Sequence, residues 1–356
     1  MIPALNIARE LRSRHPGIEV IFIGTQRGLE SDLVPREGFE LAFVPVVPLS
    51  RRPSTSWFRF PFALLKSIAT TMRIIRKRKI DIVVATGGYA SGPAIIASWL
   101  SRRPLVLCEQ NSYPGITSRV GSIFASVVCS GLPGARDYLC KRSQLIETGN
   151  PIDIICTSRT REQVIAGFNL DPAKRLLLVT GGSQGSAKIN GAILELIKNN
   201  GLPEGWSLLW QTGKDKYYPV LSQTEGMHKD VTIVPFISPL CEAYLACDAI
   251  ICRCGALTLS EISYYGIPAI LIPYPFAAGD HQRKNAETFA GEGAAVVLDD
   301  AELTGSKLSQ ALGGIICDEA LRLEMSSKMR KLGRPDATRD IADIIEKTAK
   351  KQGKVE

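Results

Sequence analysis

Residues 175–187 read Arg-Leu-Leu-Leu-Val-Thr-Gly-Gly-Ser-Gln-Gly-Ser-Ala. The apolar run at the start is typical of a strand that is buried on both faces of a parallel sheet. The glycine-rich turn that follows leads into a helix, which we predict to begin at Ala187. A glycine loop in this place lets the backbone approach a phosphate, and the helix N-terminus offers it free N–H groups. We interpret the stretch as a strand–loop–helix unit that binds an anion near Ser183, although a turn without a ligand shows the same pattern.

The same alternation of apolar runs and helical stretches continues in both directions along the chain. The other predicted strands cover residues 19–23, 81–85, 105–107, 126–129, 208–210, 232–234, 249–251 and 269–272. Helices are predicted between them, for example at residues 2–14, 61–78, 187–198 and 257–265. Alternating strands and helices predict an α/β fold with parallel sheets, and nine or ten strands are too many for one small sheet. We therefore expect two doubly wound domains.

The boundary between these domains is predicted near Gly149-Asn-Pro151, because this triplet favours a turn and a new sheet begins at Arg175. A final helix is predicted at residues 336–350, directly after Pro335. We expect the first domain to comprise residues 1–152 together with 336–356. The second domain then comprises residues 153–335.

The composition indicates a folded protein with an anionic partner. Hydrophobic residues make up 45% of the 356 residues, charged residues make up 22%, and the formal net charge is +8. This charge suits nucleic acid, an acidic lipid surface or a polyphosphate ligand, and it also suits a merely soluble basic protein. No apolar run reaches the ~18 residues that span a bilayer, and Met1-Ile-Pro-Ala-Leu does not resemble a signal peptide, so we expect a cytoplasmic protein.

The nine cysteines follow no regular framework and lie mostly in apolar runs, which predicts reduced thiols. Cys252 and Cys254 have the spacing of a redox or metal-binding pair. Since no second pair has zinc-ligand spacing, we expect no metal site.

A second strand–loop–helix motif occupies residues 249–261, with the helix predicted to begin near Ala256. Its first amides face the end of the sheet at which open α/β folds bind ligands. Thr258 lies in the first turn and is suited to a phosphate oxygen. Glu261 lies one helical turn further on, where a carboxylate accepts both hydroxyls of a ribose. The alternative is that Glu261 only caps the helix.

Polar residues also follow two other predicted strands. Residues 279–285 place His281 and Gln282 at the entry to a helix, which suits sugar hydroxyls as well as an ordinary helix cap. In the first half, residues 86–93 form a second glycine loop that suits another anionic substrate. Glu109 and Asn111 follow a strand there, and Glu109 is a candidate general base or orienting group. The alternative is that these residues only close the edge of the domain.

Residues 51–79 combine aromatic and basic side chains. They include Trp57, Phe58, Phe60 and Phe62, with the cations Arg51, Arg52, Arg73, Arg76, Lys77, Arg78 and Lys79. Aromatic residues interleaved with cations favour a surface that binds an anionic membrane, although a core helix with a solvated basic end fits too. We find no nucleic-acid-binding module, so we expect no nucleic acid partner.

The order of these motifs resembles that of the MurG family, the lipid-intermediate N-acetylglucosaminyltransferases of peptidoglycan synthesis. The matching residues are Pro3-Ala-Leu, Gly24-Thr-Gln-Arg-Gly-Leu-Glu30, Thr86-Gly-Gly-Tyr-Ala-Ser-Gly-Pro93, Glu109-Gln-Asn111, Gly149-Asn-Pro151, Gly181-Gly-Ser-Gln-Gly185, Gly255-Ala-Leu-Thr-Leu-Ser-Glu261, His281-Gln282 with Asn285-Ala286, and Pro335-Asp-Ala-Thr338. The resemblance implies a GT-B fold, in which two Rossmann-like domains face a cleft. It also implies inverting transfer from UDP-N-acetylglucosamine to undecaprenyl-diphospho-muramoyl-pentapeptide, with no obligatory metal or other cofactor. The enzyme would work peripherally on the cytoplasmic face of the cell (inner) membrane, with residues 1–152 as the acceptor and membrane domain and 153–335 as the donor domain.

The resemblance also implies roles for individual residues. Ser183 would hold the diphosphate, and Ile237 would meet the uracil through its backbone. Glu261 would hold the ribose, while Gln282 and Asn111 would reach the N-acetylglucosamine. The start of the helix would lie against phosphate and sugar through Ala256, Leu257, Thr258, Leu259 and Ser260.

The sequence departs from the family in three places. The family opens with a strand and a Gly-Gly-Thr-Gly-Gly-His loop just before the stretch that matches Ile2-Pro-Ala-Leu, and that loop carries its favoured catalytic base. We expect that Met1 is an internal methionine and that in-frame Gly-Gly-His codons lie upstream; without that loop we expect weak or no turnover. Asp153 stands where the family usually has an arginine, which removes a cation near the diphosphate. Cys254 replaces a common serine and is a poorer hydrogen-bond donor.

Three other functions fit parts of the sequence. One is another GT-B enzyme, such as a glycolipid synthase or a UDP-sugar epimerase. Another is a protein that binds the donor without catalysis. A nicotinamide oxidoreductase fits least, because the loop at Gly181 lacks the spacing of the dinucleotide fingerprint.

Overall fold

The computed structural model describes residues 1–26, 28–45, 56–88, 90–153, 158–224 and 230–352. The chain divides into two compact units. Unit 1 comprises Met1–Asp153 with Pro335–Glu356, and unit 2 comprises Ile154–Arg334. The two boundaries between these units each differ by one residue from those expected from the sequence, where the second domain covers residues 153–335.

Unit 1 contains two parallel sheets covered by helices. Its first elements are α1 (Ile2–Arg14), β1 (Ile21–Gly24), α2 (Glu30–Arg36), β2 (Glu40–Phe43), α3 (Ser56–Lys77), β3 (Val83–Ala85), α4 (Ser91–Leu100), β4 (Leu105–Glu109), α5 (Ile116–Gly121), β5 (Val127–Ser130), a 3₁₀ turn (Ala135–Tyr138) and β6 (Gln144–Glu147). Strands β1 and β2 form one sheet, and β3-β4-β5-β6 form the other in that order. Helix α1 packs on both, since Leu5 contacts the core beside β1 and Ile7 contacts the core beneath β4 and β5.

Unit 2 contains one six-stranded parallel sheet. Its elements are α6 (Arg161–Gly167), β7 (Arg175–Thr180), α7 (Ala187–Asn200), β8 (Trp206–Gln211), α8 (Tyr217–Leu221), β9 (Val231–Val234), α9 (Leu240–Ala246), β10 (Ala249–Cys252), α10 (Ala256–Tyr265), β11 (Ala269–Leu271), α11 (His281–Gly291), β12 (Ala295–Val297), α12 (Gly305–Cys317) and α13 (Glu319–Leu332), with 3₁₀ turns at Lys214–Lys216 and Ala278–Asp280. The strand order is β12-β11-β10-β7-β8-β9, and every pair is parallel. The prediction of two parallel α/β domains is confirmed.

The last helix, α14 (Ala337–Gln352), belongs to unit 1. Its residues Ile341, Ala342 and Ile345 are buried against α1 and the strands β4 and β5. Burying such a face contributes roughly 25 cal/mol per Å² of apolar surface, which fixes the helix on this unit.

All nine predicted strands are present, but three strands among the described residues were not predicted: β2, β6 and β12. Strands β2 and β6 lie at sheet edges and show the same burial pattern, exposed at both ends and half-buried between. Strand β12, also an edge strand, is three residues long. Strand β6 lacks the continuous apolar run that identifies a central strand. Residues 41–44 and 294–298 do form apolar runs, but runs this short do not distinguish a strand from other structure.

Candidate functional site

The carboxyl end of β7 is a topological switch point in the sheet of unit 2. From β7 the chain adds β8 and β9 on one side, and it then crosses to add β10, β11 and β12 on the other. Thr180 and Cys252, at the ends of β7 and β10, are paired in register. The two loops that follow therefore leave the sheet side by side. Open α/β sheets bind their ligands at such a point.

The loop after β7 is shaped by two glycines in the left-handed region. The φ angles are 86° at Gly182 and 65° at Gly185. A Cβ atom at Gly185 would lie 1.8 Å from the Thr212 carbonyl oxygen, so only glycine fits there. Ser183 lies on the exposed part of the loop. Ser186 caps α7, because its hydroxyl accepts from the Ile189 amide at 3.3 Å.

The loop after β10 presents an uncapped helix N-terminus. Helix α10 begins at Ala256, and its N-cap residue Gly255 supplies no side-chain hydrogen bond. The first amide to find a partner within the helix is that of Leu259, which donates to the Gly255 carbonyl at 2.9 Å. The preceding N–H groups, including that of Thr258, lie at the positive end of the helix dipole. They are suited to an anion.

The structure separates the predicted residues of α10 into two sets. Ala256 is 8% exposed, while Leu257, Thr258 and Glu261 are half-buried. Leu259 is fully buried, and the Ser260 hydroxyl donates to the Ala256 carbonyl at 3.0 Å. The side chains of Leu259 and Ser260 therefore face the interior, so their predicted contact with a ligand rests on their backbone atoms and stays a prediction.

Glu261 lies beside a buried phenol. Burial raises the pKa of Tyr244 well above its usual value, and the Glu261 carboxylate raises it further. The phenol is therefore neutral at physiological pH and is a hydrogen-bond donor next to the carboxylate. Nothing in the sequence pattern pointed to Tyr244.

The predicted sugar-binding residues of α11 are tied to the loop after β10. The Gln282 Oε1 atom accepts from the Cys254 amide at 3.2 Å and from the Tyr274 amide at 2.9 Å. The fully buried Asn285 donates through Nδ2 to the Cys254 carbonyl at 3.2 Å. His281 contacts the Ala278 carbonyl with its Nδ1 atom at 2.8 Å, which is a local contact of the turn.

Arg253 holds the neighbouring loops together. Its guanidinium donates to the carbonyls of Ile272 and Pro273 at 3.2 and 3.1 Å and to the Ser186 hydroxyl at 2.7 Å. It also pairs with Asp300 at 2.6 Å. An arginine that is 13% exposed needs such partners, because an unpaired buried charge is costly. The sequence motif contained Arg253 but did not indicate this role.

Ile237 follows β9 and is 4% exposed. Its amide donates to the Gln211 Oε1 atom at 2.8 Å. Gln211 ends β8, which lies between β7 and β9 in the sheet. This hydrogen bond thus connects the predicted uracil-binding segment to the carboxyl end of the sheet, where the diphosphate is predicted to bind.

The predicted residues of unit 1 lie at the end of β4. Glu109 is 4% exposed, and its Oε1 atom accepts from the Asn111 amide at 2.9 Å and from Asn111 Nδ2 at 3.1 Å. This geometry makes Glu109 an orienting group for Asn111. In the glycine loop before α4, Gly87 and Gly88 have φ angles of 82° and 83°, and Tyr89 lies outside the described residues.

The cysteine pair is buried and unreactive in character. Burial, with a smaller contribution from the Glu261 carboxylate, raises the pKa of the Cys252 thiol to about 12. Burial also raises the pKa of Cys254 well above its usual value. In the described part of the chain, no group of three or more His, Cys, Asp or Glu residues is arranged to hold a metal ion.

Helix α3 presents an apolar and basic stripe to solvent. Phe62 and Leu65 are 77% and 64% exposed, and Arg73 and Arg76 are exposed further along the helix. Arg78, which was also predicted for this surface, follows α3 and pairs with Glu19 at 2.6 Å and with Glu40. Of the other residues predicted for it, Arg51 and Arg52 and the side chains of Trp57 and Phe58 lie outside the described residues.

Helix α5, which contacts α4, also exposes apolar side chains. Ile116, Val120 and the following Ile123 are 72%, 52% and 64% exposed. None of the helices in the described ranges is both long enough and apolar enough to cross a bilayer.

Asp153 also has a partner. It accepts from Arg9 at 3.3 Å, and Arg9 is bound more closely by Glu37 at 2.6 Å. The acidic residue that replaces the family's usual arginine is thus used in an ion pair within unit 1.

Comparison with known proteins identifies both halves of the chain. Residues 1–130 match the glycosyltransferase family 28 N-terminal domain, and residues 176–343 match the family 28 C-terminal domain. A relative from Moorella thermoacetica is 39% identical over 355 residues, covering 97% of this chain and 95% of its own. One from Desulforamulus reducens is 36% identical over 356 residues, covering 98% and 96%. Both are named UDP-N-acetylglucosamine–N-acetylmuramyl-(pentapeptide) pyrophosphoryl-undecaprenol N-acetylglucosamine transferase.

Solved structures show the same fold. The crystal structure of Acinetobacter baumannii MurG superposes with a TM-score of 0.79 at 28% identity, covering 97% of this chain and 95% of its own. A UDP-GlcNAc 2-epimerase from Neisseria meningitidis reaches a TM-score of 0.67 at 13% identity, which shows the fold alone. The fold is GT-B, with two Rossmann-like α/β domains. Since both family 28 domains match and the relatives span nearly its whole length, the chain belongs to the MurG family of glycosyltransferases.

Proposed function

We propose that the protein transfers N-acetylglucosamine from UDP-N-acetylglucosamine to undecaprenyl-diphospho-muramoyl-pentapeptide. The observation that carries the proposal is the pair of helix N-termini, α7 and α10, at the switch point of the unit 2 sheet. Two helix dipoles directed at one place suit a diphosphate, which carries concentrated negative charge. The names of the relatives supply the identity of donor and acceptor.

The donor is held in unit 2 in this proposal. Ser183 and Thr258 contribute hydroxyls to the diphosphate, and Glu261 accepts from the two ribose hydroxyls. The Ile237 amide already donates to Gln211, so the Ile237 carbonyl is the backbone group left to accept from uracil. In the same way the Gln282 Oε1 atom is occupied, so its amide nitrogen is the group that meets the sugar.

The reaction is an inverting displacement. The acceptor 4-hydroxyl attacks the anomeric carbon as the bond from that carbon to the diphosphate breaks, and the hydroxyl proton passes to a base. The N-termini of α7 and α10 stabilise the charge that develops on the leaving UDP, so the residues present need no metal for this step. Glu109 orients Asn111, and the contact of Asn111 with the sugar rests on the family resemblance.

The acceptor is a membrane lipid, and unit 1 carries the surface suited to it. Phe62, Leu65, Ile116 and Ile123 are exposed apolar side chains, and Arg73 and Arg76 lie on the same face of α3 as Phe62. Apolar insertion and attraction to anionic lipid together bind a protein to an interface. We infer peripheral binding to the cytoplasmic face of the cell membrane.

The test is transfer of labelled N-acetylglucosamine from UDP-N-acetylglucosamine to the lipid acceptor. The protein is assayed as residues 1–356 and with the codons upstream of Met1 translated, and calorimetry with UDP is run on the same samples. We expect one labelled disaccharide lipid per UDP released from the extended protein, and weak or no transfer from residues 1–356. UDP binding without transfer by either form contradicts the proposed acceptor, and no heat with UDP contradicts the donor site itself.

A further inference from the structure

Gln211 is a buried polar residue at the end of β8, a strand that is otherwise apolar except for Ser207. It is 2% exposed, and all six residues of β8 are buried. Its side-chain amide makes three hydrogen bonds. Nε2 donates to the Thr180 hydroxyl at 3.1 Å and to the Gly182 carbonyl at 3.2 Å, while Oε1 accepts from the Ile237 amide at 2.8 Å.

These bonds join two separate loops. Thr180 and Gly182 belong to the turn that carries Ser183, and the Thr180 hydroxyl also accepts from the Gly182 amide at 3.2 Å. Ile237 belongs to the segment after β9. Because β8 lies between β7 and β9, a side chain at its carboxyl end reaches both. A buried amide with its donors and its acceptor satisfied is held in one conformation.

The spacing of these loops matters to a nucleotide. The diphosphate and the base of UDP are joined by one ribose, so the two contact points must lie at a matching separation. Loops that are already fixed bind more tightly, because less conformational freedom is lost when the ligand arrives.

We propose that Gln211 is a positioning residue of the donor site, which sets the Ser183 loop at the correct separation from the Ile237 backbone. The inference rests on the proposed nucleotide-binding function. Gln211 touches no reacting atom, so its contribution is to donor affinity rather than to the chemical step.

The test compares two buried amides in unit 2. Gln211→Met keeps the shape and removes the three bonds. The control is Asn190→Leu, because Asn190 is 3% exposed, accepts from Trp210 Nε1 at 3.0 Å and donates to the Thr212 carbonyl at 3.1 Å. Both variants lose buried hydrogen bonds, but only Gln211→Met disconnects the Ser183 loop from Ile237.

For Gln211→Met we expect the Kd for UDP and the KM for UDP-N-acetylglucosamine to rise about 30-fold, with kcat within about threefold of wild type. For Asn190→Leu we expect the Kd for UDP to stay within about threefold of wild type. In a double-mutant cycle, Ser183→Ala should cost less UDP affinity when Gln211 is already methionine, because the loop is no longer held.

The possible results distinguish a failure of the proposed role of Gln211 from a failure of the proposed nucleotide-binding function. Wild-type protein that does not bind UDP contradicts the proposed function and the inference with it. Wild-type binding with unchanged binding by Gln211→Met, or equal losses in both variants, overturns the inference alone. If Gln211→Met does not fold, Thr180→Val removes the hydroxyl that accepts from Gln211 Nε2 and from the Gly182 amide. We expect this variant to weaken UDP binding about threefold or more, and no change would overturn the inference.

Discussion

Arg253 shows how a single charged side chain organises the donor end of unit 2. Taking a guanidinium out of water costs several kcal/mol unless its donors are satisfied. Here the donors reach two carbonyls after β11 and the hydroxyl that caps α7, and the charge is paired with the Asp300 carboxylate. One residue therefore fixes the strand ends on which the proposed phosphate contacts depend.

The Glu261 carboxylate gives a prediction at this scale. Glu261→Gln should weaken UDP binding about tenfold, because the amide presents one acceptor oxygen in place of a charged pair. The loss should be smaller for 2′-deoxy-UDP, which lacks one of the hydroxyls. Calorimetry with both nucleotides measures the difference.

Glu287→Gln is the matched control, since Glu287 is half exposed on α11 and pairs only locally with Lys284 at 2.9 Å. It should bind both nucleotides as the wild type does. Equal losses of UDP and 2′-deoxy-UDP affinity in Glu261→Gln would argue against a ribose contact.

The residues of the candidate site were predictable to different degrees. Ser183 and Thr258 followed from glycine-containing turns that open helices, a local pattern with a local physical cause. Leu259 and Ser260 were included with them, although helical periodicity turns these two side chains towards the sheet. Gln211 and Tyr244 could not be found in this way, because their roles depend on residues that are distant in the sequence.

At the scale of the element, burial on both faces determines which strands can be predicted from the sequence. Strands β4, β7, β8 and β10 are almost entirely buried, and each appears in the sequence as an apolar run. The edge strands β2 and β6 are exposed at both ends, which are Glu40 and Phe43 in β2 and Gln144 and Glu147 in β6, so neither is buried along its length. The fold class was therefore predictable from the central strands, but the width of each sheet was not.

The turn between β7 and α7 gives a prediction for an element. Gly185→Ala places a Cβ atom 1.8 Å from the Thr212 carbonyl oxygen in a left-handed backbone conformation. We expect a loss of about 3 kcal/mol or more in the free energy of unfolding of unit 2, and weaker UDP binding. Urea unfolding and calorimetry measure the two effects.

Gly182→Ala is the control that separates the cost of the left-handed backbone conformation from the cost of the steric clash with Thr212. Gly182 also has a positive φ, but a Cβ atom there meets nothing within 4 Å. We expect about 1 kcal/mol of destabilisation from the backbone alone. Equal effects of the two substitutions would show that the close approach to Thr212 is unimportant.

At the scale of the whole molecule, charge and exposed apolar surface indicate where the protein works. The net charge of +8 favours an anionic surface, and unit 1 exposes large apolar side chains on α3 and on α5, both of which contact α4. A soluble protein rarely exposes such side chains together without a partner.

Vesicle binding tests this surface. The double substitution Phe62→Ser and Leu65→Ser should weaken binding to vesicles with anionic lipid by about tenfold or more, because each apolar side chain contributes on the order of 1–2 kcal/mol on insertion. Higher salt should weaken the remaining binding, since the charges of Arg73 and Arg76 are screened. Co-sedimentation measures both effects.

The control is the double variant Tyr218→Ser and Leu323→Ser in unit 2. Tyr218 and Leu323 are 76% and 62% exposed, similar to Phe62 and Leu65. This variant should sediment with vesicles as the wild type does. A similar loss in both double variants would mean that unit 1 has no dedicated membrane surface.

The return of α14 to unit 1 has a consequence for how the protein is made. Ile341, Ala342 and Ile345 complete a core that α1 alone covers only in part over β4 and β5. The ribosome synthesises all of unit 2 between these strands and their covering helix, which takes roughly 10–40 s at ordinary elongation rates. Unit 2 is therefore free to fold on the nascent chain, while unit 1 completes its core only after α14 has been synthesised.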